Sequence, residues 1–203
     1  MVPDLLARYP GLQANQAGQG RDESDDMASL GRMMTVAMLT IFVLLASQTR
    51  SYIQPLVVLA GVPFGAAGAV IGHFLLGYNI SFISIFGMVA LSGVVVNDSL
   101  VLVDQYNRNR NAGKSVHDAI VEASQRRFRA IFLTTATTAL GLTPMLFETS
   151  TQAQFLIPMA VSLATGIVFA SVIILFLIPA LVVIMEDFKS VVSPAAQPRL
   201  QAG

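Results

Sequence analysis

The chain has 203 residues, of which 54% are hydrophobic and only 12% charged, with 12 Lys and Arg balanced by 12 Asp and Glu. A soluble domain carries roughly twice that share of charge, so composition excludes an ordinary soluble globule, and the neutral balance argues against a nucleic-acid partner. With no cysteine and only His73 and His117 as histidines, disulfides, thiolate metal sites, redox centres and three-histidine metal sites are excluded.

Residues 1–23 have a loop composition, with Tyr9-Pro10-Gly11 and Gly18-Gln19-Gly20. Asp22, Glu23, Asp25 and Asp26 surround Ser24, which reads as a helix N-cap in favourable negative charge. Beyond this point the charges fall in a telling pattern. There are 17 uncharged residues between Arg32 and Arg50, 47 between Arg50 and Asp98, 18 from Ala130 to Phe147, and 37 from Thr149 to Met185. A membrane-spanning helix takes about 20 apolar residues. The 47-residue run therefore holds two spans, divided at Gly77-Tyr78-Asn79, and the last run holds one after its polar start. The expected architecture is an all-α membrane protein with spans near 28–48, 55–77, 80–104, 130–147 and 157–185, within a transmembrane domain over 28–187. Residues 188–203 form a tail.

The 105–129 segment carries Arg108, Arg110, Lys114, Arg126, Arg127 and Arg129, which places it on the cytoplasmic side. Ser115 and Asp118 form a capping box, followed by a stripe of Val116, Ala119, Ile120 and Ala123. The reading is an amphipathic helix over 115–126, lying on the membrane surface and leading into the fourth span. His117 falls on its first turn as a solvated residue. Counting spans outward puts the carboxy terminus inside and residues 1–27 outside. Those residues contain no apolar signal stretch, so the chain is expected to be the carboxy-terminal piece of a longer protein.

Asp98 lies inside an apolar run, Val94-Val95-Val96-Asn97-Asp98-Ser99-Leu100-Val101. A carboxylate near the bilayer centre costs about 2.5–3.5 kcal/mol on insertion scales and normally faces a partner or a wet cavity. Counting along the helices puts Asn97 and Asp98 near the depth of Thr134 and Thr135, with Arg127 closer to the cytoplasmic entrance. The cluster either ties helices together by hydrogen bonds or carries protons or ions. Gly61 and Gly65, Gly68 and Gly72, and Gly93 with Asn97 show four-residue spacing, which suits close helix packing. His73 is expected as a hydrogen-bonding residue near the outer end of the second span.

Several motifs together resemble the resistance-nodulation-division (RND) efflux transporters. They are Pro63-Phe64-Gly65-Ala66-Ala67-Gly68-Ala69, then Gly87-Met88-Val89-Ala90-Leu91-Ser92-Gly93-Val94-Val95-Val96-Asn97-Asp98, then Arg127-Phe128-Arg129-Ala130-Ile131-Phe132-Leu133-Thr134-Thr135, and Pro158-Met159-Ala160. The likeness spans about residues 9–187 and is greater to the hydrophobe/amphiphile branch than to the heavy-metal branch. It implies the last five helices of a twelve-helix bundle, with residues 1–27 ending a periplasmic region. It also implies a homotrimer in the bacterial inner membrane that exports drugs or other amphiphilic compounds by proton antiport. No cofactor is implied beyond the proton gradient. The implied partners are membrane lipids, a periplasmic adaptor protein and an outer-membrane channel.

In that family an acidic pair on the fourth helix, outside this chain, binds protons, and a lysine, an arginine and a threonine complete the relay. Those three positions fall on Asn97, Arg127 and Thr134. Asn97 is a departure that removes a fixed positive charge, and Asp98 beside it adds an ionisable group of opposite sign. Ala130 replaces a proline usual in the family. Two other readings are a protein-export auxiliary of the same superfamily and a truncated membrane fragment that does not transport. The orientation is directly testable. A cysteine at Ser115 should be labelled only from the cytoplasm and one at Ser150 only from outside, whereas the reverse pattern would overturn the orientation.

Overall fold

The computed structural model describes residues 19–192, with side chains for 26–150 and 153–188. Among them the chain is helical throughout: α1 (Gln19–Thr49), α2 (Ile53–Leu59), α3 (Val62–Leu76), α4 (Phe82–Asn111), α5 (Val116–Leu146), the single turn α6 (Thr151–Gln154) and α7 (Ile157–Val192). Residues up to Leu39 form one unit and those from Thr40 onward another. The start of α1 at Gln19 puts Ser24 inside the helix, so Ser24 is not the N-cap expected from the sequence. The loop composition read over 1–23 gives way to helix from Gln19 onward, and residues 1–18 and the tail from 193 lie outside the described residues.

Four helical stretches are long and apolar enough to cross a membrane: Asp26–Thr49, Ile53–Leu76, Phe82–Asn111 and Ile157–Phe188. The second comprises α2 and α3. Pro63 stands in the first turn of α3 and has no N–H to continue the ladder, which accounts for the break at Ala60 and Gly61. The stretch expected as a fourth span, 130–147, belongs to α5 and falls short of the others in apolarity, because Thr134, Thr135, Thr137, Thr138, Thr143 and Pro144 dilute it. The surface helix expected over 115–126 is not a separate element. It runs without interruption into the threonine-rich stretch as a single 31-residue helix. Ala130, unlike the proline usual in the resembled family, keeps its N–H for the ladder and leaves nothing to break the helix there.

The turns follow local chemistry. Gly77 ends α3 in the left-handed conformation (φ 73°), with its N–H donating to the His73 carbonyl, a position where a side chain would be strained. Ser81 and Ser84 cap α4 reciprocally. At α5 the Ser115 hydroxyl accepts from the Asp118 N–H at 3.1 Å, while the Asp118 carboxylate accepts from that hydroxyl at 2.7 Å instead of reaching back to the backbone. Glu122 pairs with Lys114 and, at 2.7 Å, with Arg126. The hydrogen bond from Lys114 is the main reason its carboxyl is held below the usual carboxylate range.

In the second unit α3, α4 and α5 all pack on α7, which is the hub of the bundle. Glycines set the approach. A Cβ on Gly68 would sit 2.5 Å from that of Phe169, one on Gly72 would strike Thr165, and one on Gly166 would strike Leu91. On Gly61 it would lie 3.1 Å from Val95, and on Gly65 3.3 Å from Leu91. Gly87 is the tightest case against backbone, with its Cβ position 2.5 Å from the Met159 carbonyl oxygen and 2.8 Å from the Ser162 Cβ. Gly93 differs from the other four glycines singled out in the sequence: it is exposed, with nothing within 4 Å. The contrast gives a paired test. Gly87→Ala should destabilise the chain by about 1–3 kcal/mol, because α4 and α7 must separate. Gly93→Ala should be neutral or stabilising by up to about 1 kcal/mol through helix propensity. Unfolding titrations in one detergent would measure both.

Candidate relay site

The buried face of α4 is a regular stripe: Ser84, Gly87, Leu91, Val95, Asp98, Leu102, Tyr106 and Asn109. Steps of three and four keep these residues on one side of a helix. Asp98 therefore occupies a position that the pattern would fill with an apolar side chain. It is 8% exposed, and its carboxylate has neither a hydrogen bond nor an ion pair among the described residues. Ser99 is fully buried, and its hydroxyl also lacks a hydrogen-bond partner.

The other sequence candidates fall differently. Asn97, one residue and about 100° away around the helix, is exposed and shares a face with Phe86, Val89 and Gly93. On α5, Arg127 is half-buried, and its Nε makes no hydrogen bond. Thr134, seven residues further and on the same face, is exposed and donates to the Ala130 carbonyl of its own helix at 3.0 Å. The threonine that turns inward is Thr135, whose hydroxyl lies 2.5 Å from that of Ser171 on α7. Asp98 is thus not joined to Arg127, and Thr134 does not meet a neighbouring helix through its hydroxyl.

Relative depth can be triangulated through α7. Ile174 lies three residues beyond Ser171, and both Ile174 Cγ1 and Ser99 Oγ fall 3.4 Å from the Cβ position of Gly61. Ser99 and Thr135 are therefore within about one helical turn of each other in depth. Asn97, Asp98, Thr134 and Thr135 occupy one layer but two faces.

A second polar cluster sits nearer the Gly77 turn, where sequence spacing gave little signal beyond His73 itself. His73 is 1% exposed, buried in the bundle. Its Nδ1 lies 2.9 Å from the Ala69 carbonyl, which can only accept, so Nδ1 carries a hydrogen. In the neutral ring Nε2 then accepts from the Ser84 hydroxyl at 2.8 Å. Ser162 of α7 donates to the Ser84 carbonyl at 2.9 Å. At the far end of the bundle Gln54 and Asn107 exchange two 2.9 Å amide hydrogen bonds, and Asn109 donates to the Ala119 carbonyl at 2.9 Å.

Long apolar helices packed through glycine contacts, with buried polar groups in layers, define a polytopic membrane protein. The chain belongs to the AcrB/AcrD/AcrF family, whose model matches residues 7–186, and so to the RND efflux permeases that its motifs resemble. The multidrug resistance protein MdtC of Serratia proteamaculans (strain 568) is 29% identical over 80% of this chain and 16% of its own length. The nickel and cobalt resistance protein CnrA of Cupriavidus metallidurans is 30% identical over 99% of this chain and 19% of its own. The crystal structure of a heavy metal efflux pump matches with a TM-score of 0.77 at 24% identity, over 92% of this chain and 19% of the pump. The chain thus spans less than a fifth of the length of these relatives.

An unpartnered buried carboxylate makes a distinct stability test. Asp98→Asn removes a desolvated charge without removing a bond, so stability at neutral pH should be unchanged or higher. Thr135→Ala should cost about 0.6 kcal/mol and at most about 1.7 kcal/mol, the range for hydrogen bonds between membrane helices. Thermal unfolding of both variants decides this, and a loss above about 1 kcal/mol for Asp98→Asn would show an ion partner.

Proposed function

We propose that this chain is the carboxy-terminal membrane portion of a proton-driven RND efflux pump that exports drugs or other amphiphilic compounds. The pump would be a homotrimer in the bacterial inner membrane, working with a periplasmic adaptor and an outer-membrane channel. The observation that carries the proton-coupled reading is Asp98, a buried carboxylate in an apolar helix with no compensating partner among the described residues. Such a group is costly to keep unless it acts. In this proposal Asp98 binds and releases a proton as the bundle alternates between wet and dry arrangements.

The exposed face of α4 supports the same reading. Phe86, Val89, Gly93 and Asn97 are uncovered within this chain, and the small Gly93 would admit a neighbouring helix closely. We place there the helix of the whole pump that bears the family's acidic pair, opposite Asn97, with Arg127 and Thr134 on the adjoining α5 face. The 130–147 stretch is proposed as a fifth span within 28–187, with its threonines covered by other helices of the complete bundle. The carboxy terminus is proposed to be cytoplasmic.

A second cargo reading comes from the relatives' names, which include nickel and cobalt resistance as well as multidrug resistance. One experiment addresses both questions. The full-length pump in a susceptible host should raise resistance to amphiphilic drugs and leave nickel and cobalt tolerance unchanged; the opposite spectrum would give the metal reading. Asp98→Asn at equal expression should abolish the resistance, with roughly a hundredfold or greater loss of proton-coupled efflux in vesicles, in the range of removing a proton-transfer group. Wild-type resistance from that variant would reduce Asp98 to a structural residue.

A further inference from the structure

A groove of about 550 Å³ runs between α3, α5 and α7, from Gly68 and Phe169 in the middle of the helices to Leu76 and Leu146 at their ends. Its two hydroxyl-bearing wall residues are spoken for: Thr143 donates to the Ala139 carbonyl at 2.9 Å and Thr165 to the Val161 carbonyl at 2.7 Å. The wall is therefore hydrocarbon in effect. Eight residues separate Gly68 from Leu76, so the groove extends about 12 Å along α3, suited to one alkyl chain.

Leu146 is also a wall residue of a second cavity of about 580 Å³, lined besides by Tyr78, Phe147, Glu148, Thr149, Gln154 and Ile157. Its character is different. Two aromatic rings and one carboxylate gather at the end of an apolar channel. The Glu148 carboxylate accepts from the N–H groups of Thr149 at 3.0 Å and Ser150 at 3.1 Å. Those bonds, that from Ser150 foremost, hold its carboxyl below the usual carboxylate range, so it is charged at neutral pH. No lysine or arginine occurs in residues 51–97 or 130–185, and Glu148 is the one charged residue of those two segments.

We propose that the groove and its mouth form a binding site for a single-chain alkylammonium amphiphile, with the chain along Gly68 to Leu76 and the cationic head among Tyr78, Phe147 and Glu148. The volume and the dry wall select an alkyl chain. The rings attract a cation through their faces, and Glu148 supplies the opposite charge. A phospholipid fits worse, because its phosphate would meet Glu148 with no basic side chain from either segment to balance it. The site needs no transport step and does not depend on Asp98.

The test uses the whole chain in lipid nanodiscs with dodecyltrimethylammonium carrying a diazirine at the end of its chain. A dodecyl maltoside with the same diazirine is the neutral control. After irradiation and mass spectrometry, the ammonium probe should label Ile71, Ala139 and Val168 in preference to Phe74 and Phe176, which are exposed outside the groove. Glu148→Gln and Tyr78→Leu, both at the exposed mouth, should each lower that labelling by about two- to fivefold, the scale of an exposed ion pair or cation–π contact. The maltoside should be unaffected by either. Equal labelling by the two probes in the unmodified chain, or ammonium labelling indifferent to Glu148→Gln, overturns head-group recognition. Labelling spread evenly over Phe74 and Phe176 overturns the groove itself, as does the absence of groove adducts.

Discussion

The bundle depends on how closely backbone can approach backbone at α7. In a bilayer a leucine gains little by leaving lipid for another helix, so packing contact and polar pairing must hold helices together. Gly68 and Gly72 bring α3 onto Phe169 and Thr165, and Gly87 brings α4 onto the Met159 carbonyl. The polar bonds follow from this geometry. Gly72 immediately precedes His73, and Gly87 lies one turn beyond Ser84. The helices thus meet where the His73, Ser84 and Ser162 groups need partners. A larger side chain at either glycine would push those groups apart as well as opening the apolar contact.

This polar accounting makes Asp98 and Ser99 conspicuous. Several buried groups reach another helix or their own carbonyls, as Thr135 does with Ser171, Asn109 with Ala119 and Ser92 with Val89, while the Tyr106 hydroxyl two turns along α4 is unbonded like that of Ser99. A buried polar group left without a bond costs about 1–3 kcal/mol, and a charged one more. Two such groups adjacent in sequence, in the middle of α4, add up to a local defect in the packing of that helix. A defect of this kind can be tolerated where protonation relieves it, which is the condition a proton carrier requires.

Much of the fold was legible because charge is so expensive in lipid. The long charge-free runs located the helices, and Gly77 marked the turn. What failed was phase and continuity. Between Ile131 and Ala139 every residue is apolar or threonine, so no period tells which threonine faces inward; the motif resemblance points to Thr134 for a relay role, and the contact within this chain is made by Thr135. Gly93 has the same four-residue spacing as the packing glycines but lies on the face of α4 that nothing in the described chain covers, because spacing identifies a face without saying what covers it. Gly87 and Gly166 were missed, although Ser162, Gly166 and Ala170 form a small-residue series that could have flagged the latter. The continuity of α5 was hidden by its basic run, which reads as a membrane-surface boundary while posing no obstacle to helix geometry. Asp98 was legible as an intramembrane carboxylate, but its lack of a partner was visible only in three dimensions.

The two faces of α4 constrain how a relay could work in the proposed pump. Asn97 and Asp98 are about 100° apart around the helix, so Asp98 cannot take over the place of the residue that Asn97 replaces. It also has the wrong sign to stabilise an acidic pair. Asn97 itself can hydrogen-bond a carboxyl whether protonated or ionised, whereas a lysine would favour the ionised form. In the proposed pump, replacing the lysine by asparagine would therefore weaken the electrostatic penalty on protonating the pair and leave the relay's cationic role to Arg127. Arg127 is suited to the task, because its Nε is buried without a partner and its planar fork of donors matches a carboxylate. Asp98, facing the interior, would respond instead to the packing of α4 within this chain. A proton on the exposed side would thus change interhelix charge, and one on the inner side would change core solvation. Coupling the two would require α4 to move as a unit, which its continuous helix from Phe82 to Asn111 allows.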